Sequence, residues 1–167
     1  MANLDDDERE RVLHGGFSAV SLDDIAWLRE ISGVPVVVKG VVRSDDAVAA
    51  VDAGAAGVLV STHGNRRMGA SIGSLAALPE VVAAVGDRAE VFVDSGIRSG
   101  AHVLAALALG ARAVFVGRPM MWALAADGEQ GVVDAIGHLT QETMRAFAQS
   151  GARDRADLGQ DLVVRPS

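Results

Sequence analysis

Side chains that can move protons or bind anions follow directly after short apolar stretches of this sequence. Lys39 closes one stretch and Asp94 ends another, while His63 follows a third, two residues after Ser61. Because side chains two apart on a strand share a face, Ser61 and His63 are expected to point the same way. An imidazole gains and loses a proton near neutral pH, which suits general acid–base catalysis. The pattern predicts one site that gathers the ends of several strands.

Lys39 can be interpreted in two ways. After three valines, a buried ammonium group is costly unless it meets an anion, which favours a place in the site. The alternative is a strand-end lysine whose stem lies along apolar surface while its charge reaches water. Convergence with Ser61, His63 and Asp94 favours the first interpretation.

Two loops that contain glycine and arginine follow the third and fourth apolar stretches, at residues 94–100 and 116–119. Gly96 and Gly117 allow the backbone to approach a ligand closely, and backbone N–H groups near a helix start bind phosphate. Arg98 and Arg118 add planar, permanently charged donors. Asp94 can accept hydrogen bonds from the hydroxyl groups of a sugar-like chain. The two loops predict a site for a phosphate-bearing ligand.

The apolar pattern indicates four strands and five helices that position these side chains. Short β-branched runs bounded by Gly, Pro or charge predict buried strands at residues 34–38, 57–61, 90–94 and 113–117. The segments around them predict helices at residues 22–31, 45–52, 79–85, 100–109 and 128–149. Ser21 and Ser44 are the expected N-caps of the first two helices, and Pro79 is expected in the first turn of the third. One face of the fifth helix is expected to carry Val132, Ile136, Leu139 and Met144.

Alternation of strands and helices predicts parallel strands joined by right-handed crossovers. A doubly wound sheet usually has a glycine-rich turn after its first strand, whereas here polar residues end every strand, as in (β/α)8 barrels. Phosphate sites of such barrels typically follow strands seven and eight, and a whole barrel needs about 250 residues. The predicted fold is α/β, a parallel (β/α) half-barrel that corresponds to the last four strands of a TIM barrel.

Composition and charge exclude several classes of protein. The 167 residues carry a formal net charge of −7 without a basic block, so nucleic-acid binding is not expected. The absence of cysteine excludes disulfides and thiolate metal sites, and no metal site is expected. No apolar run approaches the roughly 20 residues of a membrane span, and the acidic start is unlike a secretory signal. We expect a cytoplasmic protein with a flexible acidic N-terminus at 1–16, the half-barrel at 17–161 and a tail at 162–167.

Several motifs together resemble one family of flavoenzymes. The loops at 94–100 and 117–119 resemble the phosphate-binding end of FMN-binding barrels in general. Val60-Ser-Thr-His-Gly-Asn-Arg66 looks like the Ser-Asn-His-Gly-Gly-Arg signature of the FMN-dependent α-hydroxy-acid dehydrogenases and oxidases, such as glycolate and lactate oxidases. Segments 36–40, Val-Val-Val-Lys-Gly, and 78–80, Leu-Pro-Glu, match the same family in order and spacing. The likeness extends from about residue 17 to residue 161.

The resemblance implies FMN as cofactor and oxidation of a small 2-hydroxy acid, similar to lactate, glycolate or mandelate, to the 2-oxo acid. Oxygen or another acceptor would then reoxidise the flavin. His63 would be the catalytic base and a substrate contact, and Arg66 would hold the substrate carboxylate. Lys39 and Ser61 would lie beside the flavin ring. The cofactor-binding residues implied for the ribityl chain and phosphate are Asp94, Ser95, Gly96, Arg98, Gly117 and Arg118.

The sequence also departs from this family. Thr62, Asn65, Arg67, Met68 and Gly69 replace the usual Asn, Gly, Gln, Leu and Asp. The family's first four strands have no counterpart here, so we expect a companion N-terminal half chain or a homo-oligomer to cover the exposed strand edges. The alternative is a catalytically inactive half-barrel that binds flavin or phosphate, or the remnant of a split gene. Another FMN-barrel reaction, such as an isomerisation, is disfavoured because Arg66 beside His63 suits a carboxylate.

Overall fold

The computed structural model describes residues 21–67 and 69–164. The expected boundary between residues 16 and 17 and the last three tail residues lie outside this part of the chain. The helices are α1 Leu22–Ser32, α2 Ser44–Asp52, α3 Ser74–Val85, α4 Gly100–Ala108 and α5 Arg118–Ser150. The strands are β1 Val37–Val41, β2 Gly57–Val60, β3 Glu90–Val93 and β4 Ala113–Val114. Short 3-10 turns follow at His63–Asn65, Gly86–Arg88, Arg155–Asp157 and Gln160–Leu162.

The four strands form one parallel sheet in the order β1-β2-β3-β4. Val37 pairs with Gly57 and Val58 pairs with Val91, so all strands end at the same edge of the sheet. The predicted class, α/β with sequential parallel strands, is confirmed. This order carries the residues that follow each strand to one end of the fold, as the active-site end of such sheets requires.

The two faces of the sheet have different environments. One face packs against the helices and holds the core, in which Val58, Val60 and Val93 are fully buried. The opposite face carries Val37 and Phe115, whose exposed fractions are 45% and 51%. Phe92 meets Phe115 edge to face on this side, with ring centroids 5.9 Å apart. The exposed apolar face is the one that would line the interior of a closed barrel.

Each strand differs from its prediction in at least one boundary, and the largest differences are in β1 and β4. β1 begins at Val37 rather than residue 34, since its register with β2 starts there and Pro35 cannot donate a ladder hydrogen bond. β4 contains only Ala113 and Val114, because its pairing with β3 ends after those residues. β2 and β3 start where predicted and end one residue earlier.

Helix starts were predicted less well than helix positions. Ser21 caps α1 with a full capping box, as expected, whereas Ser44 is the first residue of α2 and its hydroxyl contacts Glu80. Pro79 lies inside α3, which begins at Ser74, so the expected first-turn position is wrong. Ser99 caps α4 by accepting a hydrogen bond from the His102 N–H.

The last helix is longer than predicted. α5 starts at Arg118 and contains a break at Asp127 and Gly128, so residues 128–150 form its second part. Leu139 is half-buried against the core, but Ile136 and Met144 are exposed by 53% and 67%. The predicted apolar face therefore does not coincide with the buried one. No helix among residues 21–67 and 69–164 is long and apolar enough to cross a membrane.

Candidate active site

A cavity of about 420 Å³ opens at the carboxyl ends of the strands. Nine of the ten predicted site residues line it: Lys39, His63, Arg66, Asp94, Ser95, Gly96, Arg98, Gly117 and Arg118. Ser61 lies behind its wall, 1% exposed, and touches the site through hydrogen bonds. The structure thus brings the predicted residues together. In the part of the chain that the structure describes, no group of three His, Asp or Glu side chains could hold a metal ion.

The floor of the cavity is an ion pair between neighbouring strand ends. The Lys39 ammonium donates to the Ser61 hydroxyl at 2.7 Å and to the Asp94 carboxylate. Burial alone would raise the pKa of Asp94, but hydrogen bonds from Lys39, Ser61 and Ser95 outweigh it and lower the pKa below its ordinary value. Asp94 is therefore ionised at neutral pH. Lys39 meets an anion, as the first interpretation requires, but its side chain is 44% exposed, so the expected burial of its ammonium group is wrong.

His63 lies on a turn with an unusual backbone conformation. His63, Gly64 and Asn65 have φ angles of 53°, 69° and 59°, all in the left-handed region that favours glycine. Asn65 replaces the glycine of the family motif, and asparagine is among the side chains that best tolerate this region. The substitution is thus compatible with the shape of the turn.

Two neighbouring loops hold this turn through Gly64. Its N–H donates to the Ser95 hydroxyl at 3.0 Å, and its carbonyl accepts from Arg118 Nη2 at 3.0 Å. A Cβ on Gly64 would lie 2.8 Å from the same Arg118 nitrogen. The loops after β3 and β4 therefore fix the segment that carries His63.

Gly40 sets the position of the imidazole from below. Its φ is +103°, and a Cβ built there would lie 2.6 Å from His63 Cε1. Any side chain at residue 40 would displace the ring. The glycine after Lys39 is thus required by both its backbone conformation and this contact.

Arg66 lies at the mouth of the cavity. Its Nε donates to the His63 carbonyl oxygen at 3.3 Å, and the residue is exposed. Arg66 and His63 both line the cavity. A planar fork next to an imidazole can hold a carboxylate while the imidazole meets the adjoining carbon or its hydroxyl.

The far side of the cavity has the features of a phosphate site. Ser95 and Gly96 have φ angles of 68° and 89°, and neither Gly96 nor Gly117 has an atom within 4 Å of a built Cβ. Open space beside two glycines lets backbone N–H groups reach a ligand. Arg98 and Arg118 supply positive charge nearby. These residues fit the phosphate-bearing cofactor expected from the sequence.

Arg98 is held by several neighbours. Its backbone N–H donates to His102 Nδ1 at 3.2 Å, and its Nη1 donates to the Ile97 carbonyl at 2.7 Å. The guanidinium lies over the Trp122 ring, 5.2 Å from the centroid. Trp122 itself is 58% exposed.

Other residues of the site were not found from the sequence. Ser74 is buried, and its hydroxyl lies 2.5 Å from the Asp94 carbonyl oxygen and 2.9 Å from that of Ser95, so the two carbonyls share its one proton. Its position at a helix start had no special signal. Additional cavity-lining residues are Gly64, Ile97, Phe115 and Met121. Gly64, inside the motif at 60–66, and Ile97, inside the loop at 94–100, could have been inferred.

Comparisons with known proteins identify the family of this chain. The family model described as FMN-dependent dehydrogenase matches residues 3–165. The chain belongs to this family. 2-Hydroxyacid oxidase 1 of Mus musculus is 48% identical over 145 residues, which are 87% of this chain and 39% of that protein. L-lactate oxidase of Nostoc sp. (strain PCC 7120 / SAG 25.82 / UTEX 2576) is 46% identical over 140 residues, 84% of this chain and 38% of that protein.

Solved structures of the FMN-dependent dehydrogenase family share the fold. Mandelate oxidase with (S)-2-phenylpropionate superposes with a TM-score of 0.83 at 43% identity, over 86% of this chain and 43% of that chain. This chain therefore spans about two fifths of the length of these relatives. The half-barrel assignment is confirmed, and FMN is the cofactor of the family.

Proposed function

We propose that this chain is the half-barrel that carries the base and the phosphate site of an FMN-dependent 2-hydroxy-acid oxidoreductase. The proposed reaction removes two electrons and two protons from a small 2-hydroxy acid and yields the 2-oxo acid. One observation carries the proposal: His63 and Arg66 border the same cavity as Lys39 and Arg118. The base, the carboxylate-binding group and the cofactor site would then be adjacent.

The cofactor would be held by residues from three strand ends. The Gly96 and Gly117 backbone and the Arg118 guanidinium would bind the phosphate, and Arg98 would add charge near it. Asp94 and the Ser95 backbone would contact the rest of the cofactor, whereas the buried Ser61 would act on it through its hydrogen bond with Lys39. Lys39 would place its positive charge beside the ring system. When bound, FMN supplies the two-electron acceptor that protein side chains lack.

The substrate would be held and deprotonated by two residues. Arg66 would bind the carboxylate through paired N–H donors, which fixes the adjoining carbon relative to His63. An imidazole nitrogen of His63 would take the substrate proton. Gly40 leaves room for this ring, and the hydrogen bonds of Gly64 hold the turn that carries it.

We propose that further strands complete the barrel, either from a companion N-terminal half chain or from a second copy. In the described residues, β1 and β4 each have one edge without a paired strand, and such edges invite pairing. The exposed Val37 and Phe115 would become part of the barrel interior. Co-purification and sedimentation test this: a companion or a dimer supports the proposal, whereas a stable monomer contradicts it.

Flavin absorbance tests the proposed reaction. The purified assembly is expected to be yellow, or to become so when FMN is added, and to bleach under nitrogen with lactate, glycolate or mandelate. A flavin-loaded sample that none of these acids bleaches would contradict oxidation of a small 2-hydroxy acid. The acids' 2-deoxy analogues, propionate and acetate, are the matched controls.

The altered loop at 62–69 favours a second candidate, an inactive half-barrel that binds flavin or phosphate. This candidate predicts that the protein binds FMN but that hydroxy acids do not bleach it. A split-gene remnant is expected not to bind FMN at all. The cytoplasmic location is proposed on the acidic, cysteine-free composition alone.

A further inference from the structure

Backbone strain is concentrated at one junction of the site. In the described part of the chain, the non-glycine residues with left-handed φ are His63, Asn65 and Ser95. Each such residue is strained relative to an ordinary backbone conformation. Strained residues persist where surrounding contacts determine them, and they cluster at functional sites. Ser95 needs an explanation in particular, because glycine would fit its backbone without this cost.

The Ser95 hydroxyl joins two parts of the site. It accepts a hydrogen bond from the Gly64 N–H at 3.0 Å and donates one to Asp94 Oδ1 at 2.7 Å. A serine hydroxyl has one donor, so its proton is committed to Asp94. Both hydrogen bonds of the Ser95 hydroxyl are therefore made within the protein, and a ligand would contact the Ser95 backbone.

The same contacts close a ring around the His63 turn. The His63 N–H donates to the Ser61 hydroxyl at 3.1 Å, and this hydroxyl accepts from Lys39, which pairs with Asp94. Asp94 accepts a hydrogen bond from the Ser95 hydroxyl, which in turn accepts one from the N–H of Gly64, the residue after His63. Two consecutive N–H groups of the turn are therefore bound by two serine hydroxyls, of which Ser95 contacts Asp94 directly and Ser61 is linked to it through Lys39.

We propose that Ser95 is a positioning residue whose hydroxyl holds the His63 turn against Asp94. The inference rests on the proposed function, in which His63 is the base. It goes further by assigning the Ser95 side chain to the geometry of the base rather than to the cofactor. Arg118 supplies the opposing contact at the Gly64 carbonyl. The strain at Ser95 is retained because only a side chain there provides the hydroxyl.

Hydrogen exchange of the Gly64 amide tests whether the Ser95 hydroxyl holds the His63 turn, and it needs neither flavin nor turnover. In the full chain labelled with nitrogen-15, Ser95→Ala keeps the backbone strain and Ser95→Gly removes it, and both delete the hydroxyl. We expect exchange at Gly64 to rise about fivefold in both variants, the effect of one lost hydrogen bond. Ser44→Ala, which removes another hydroxyl bound to a carboxylate, is the matched control and leaves Gly64 unchanged. If the exchange rate of the Gly64 amide is unchanged in both Ser95 variants, or rises in only one of them, the proposal is overturned.

Steady-state kinetics of the FMN-loaded assembly give the second readout. Displacing the base is expected to lower kcat about tenfold in both variants with little change in KM, because Arg66 still binds the carboxylate. Wild-type kcat in either variant would overturn the positioning role. If even the wild-type assembly does not oxidise a hydroxy acid, the proposed function fails. Hydrogen exchange at Gly64 still tests whether the Ser95 hydroxyl holds the turn.

Discussion

Replacement of Gly40 by alanine is expected to displace the proposed catalytic base. The added Cβ would lie 2.6 Å from His63 Cε1, whereas carbon atoms pack at about 3.5 Å. The contact lies at the end of a side chain, so the imidazole would move by about 0.9 Å to restore that separation. A misplacement of about 1 Å can cost about 100-fold in rate. The φ of +103° adds about 1–2 kcal/mol of destabilisation, because alanine is strained there.

The assay is anaerobic flavin reduction by a hydroxy acid, followed by absorbance in the FMN-loaded assembly. Gly33→Ala is the matched control, since its φ is +64° and nothing lies within 4 Å of its Cβ. It should lose about 1 kcal/mol of stability without a change in rate. If Gly40→Ala reduces flavin as fast as the wild type, the inferred position of His63 is wrong.

Three further predictions concern the carboxylate-binding group, the ion pair and a helix cap. Arg66→Lys should raise KM about tenfold or more with a smaller change in kcat, since the paired donors are lost; kinetics with Arg67→Lys as control test this. Because the native pKa of Asp94 lies below 3.8, its stabilisation is present above that value and is lost as pH falls through the native pKa. Urea titrations of wild type and Asp94→Asn should therefore differ near neutral pH and converge as the pH falls below 3.8; a constant difference would refute the pKa direction. Ser21→Ala should cost about 1 kcal/mol in the free energy of unfolding by breaking the capping box, while Ser32→Ala changes it little.

The sequence was sufficient to predict the strands and their parallel order. Short β-branched runs are local signals, and polar residues at their ends placed the site at one edge of the sheet. The exact start of β1 was not predictable, because it depends on the register of Val37 with Gly57. The buried face of α5 was also missed, because neighbouring helices rather than periodicity decide that Ile136 stays exposed.

The site was predicted as a set of residues but not as a network. Motif spacing identified the cavity-lining side chains, and the structure places nine of them around one space. The left-handed turn at His63 and its hydrogen bond to Ser95 join residues more than 30 positions apart. Contacts of this kind arise from packing between strand ends, and no local sequence pattern predicts them.

Comparison of two histidine variants tests the central claim most directly. His63→Gln and His138→Gln remove one imidazole each, the first from the cavity and the second from the exposed side of α5. Under nitrogen with excess hydroxy acid, we predict that His63→Gln retains FMN and reduces it at least about 100-fold more slowly than wild type. The His138 variant should match the wild-type rate. Flavin reduction at the wild-type rate in His63→Gln would contradict the assignment of His63 as the base.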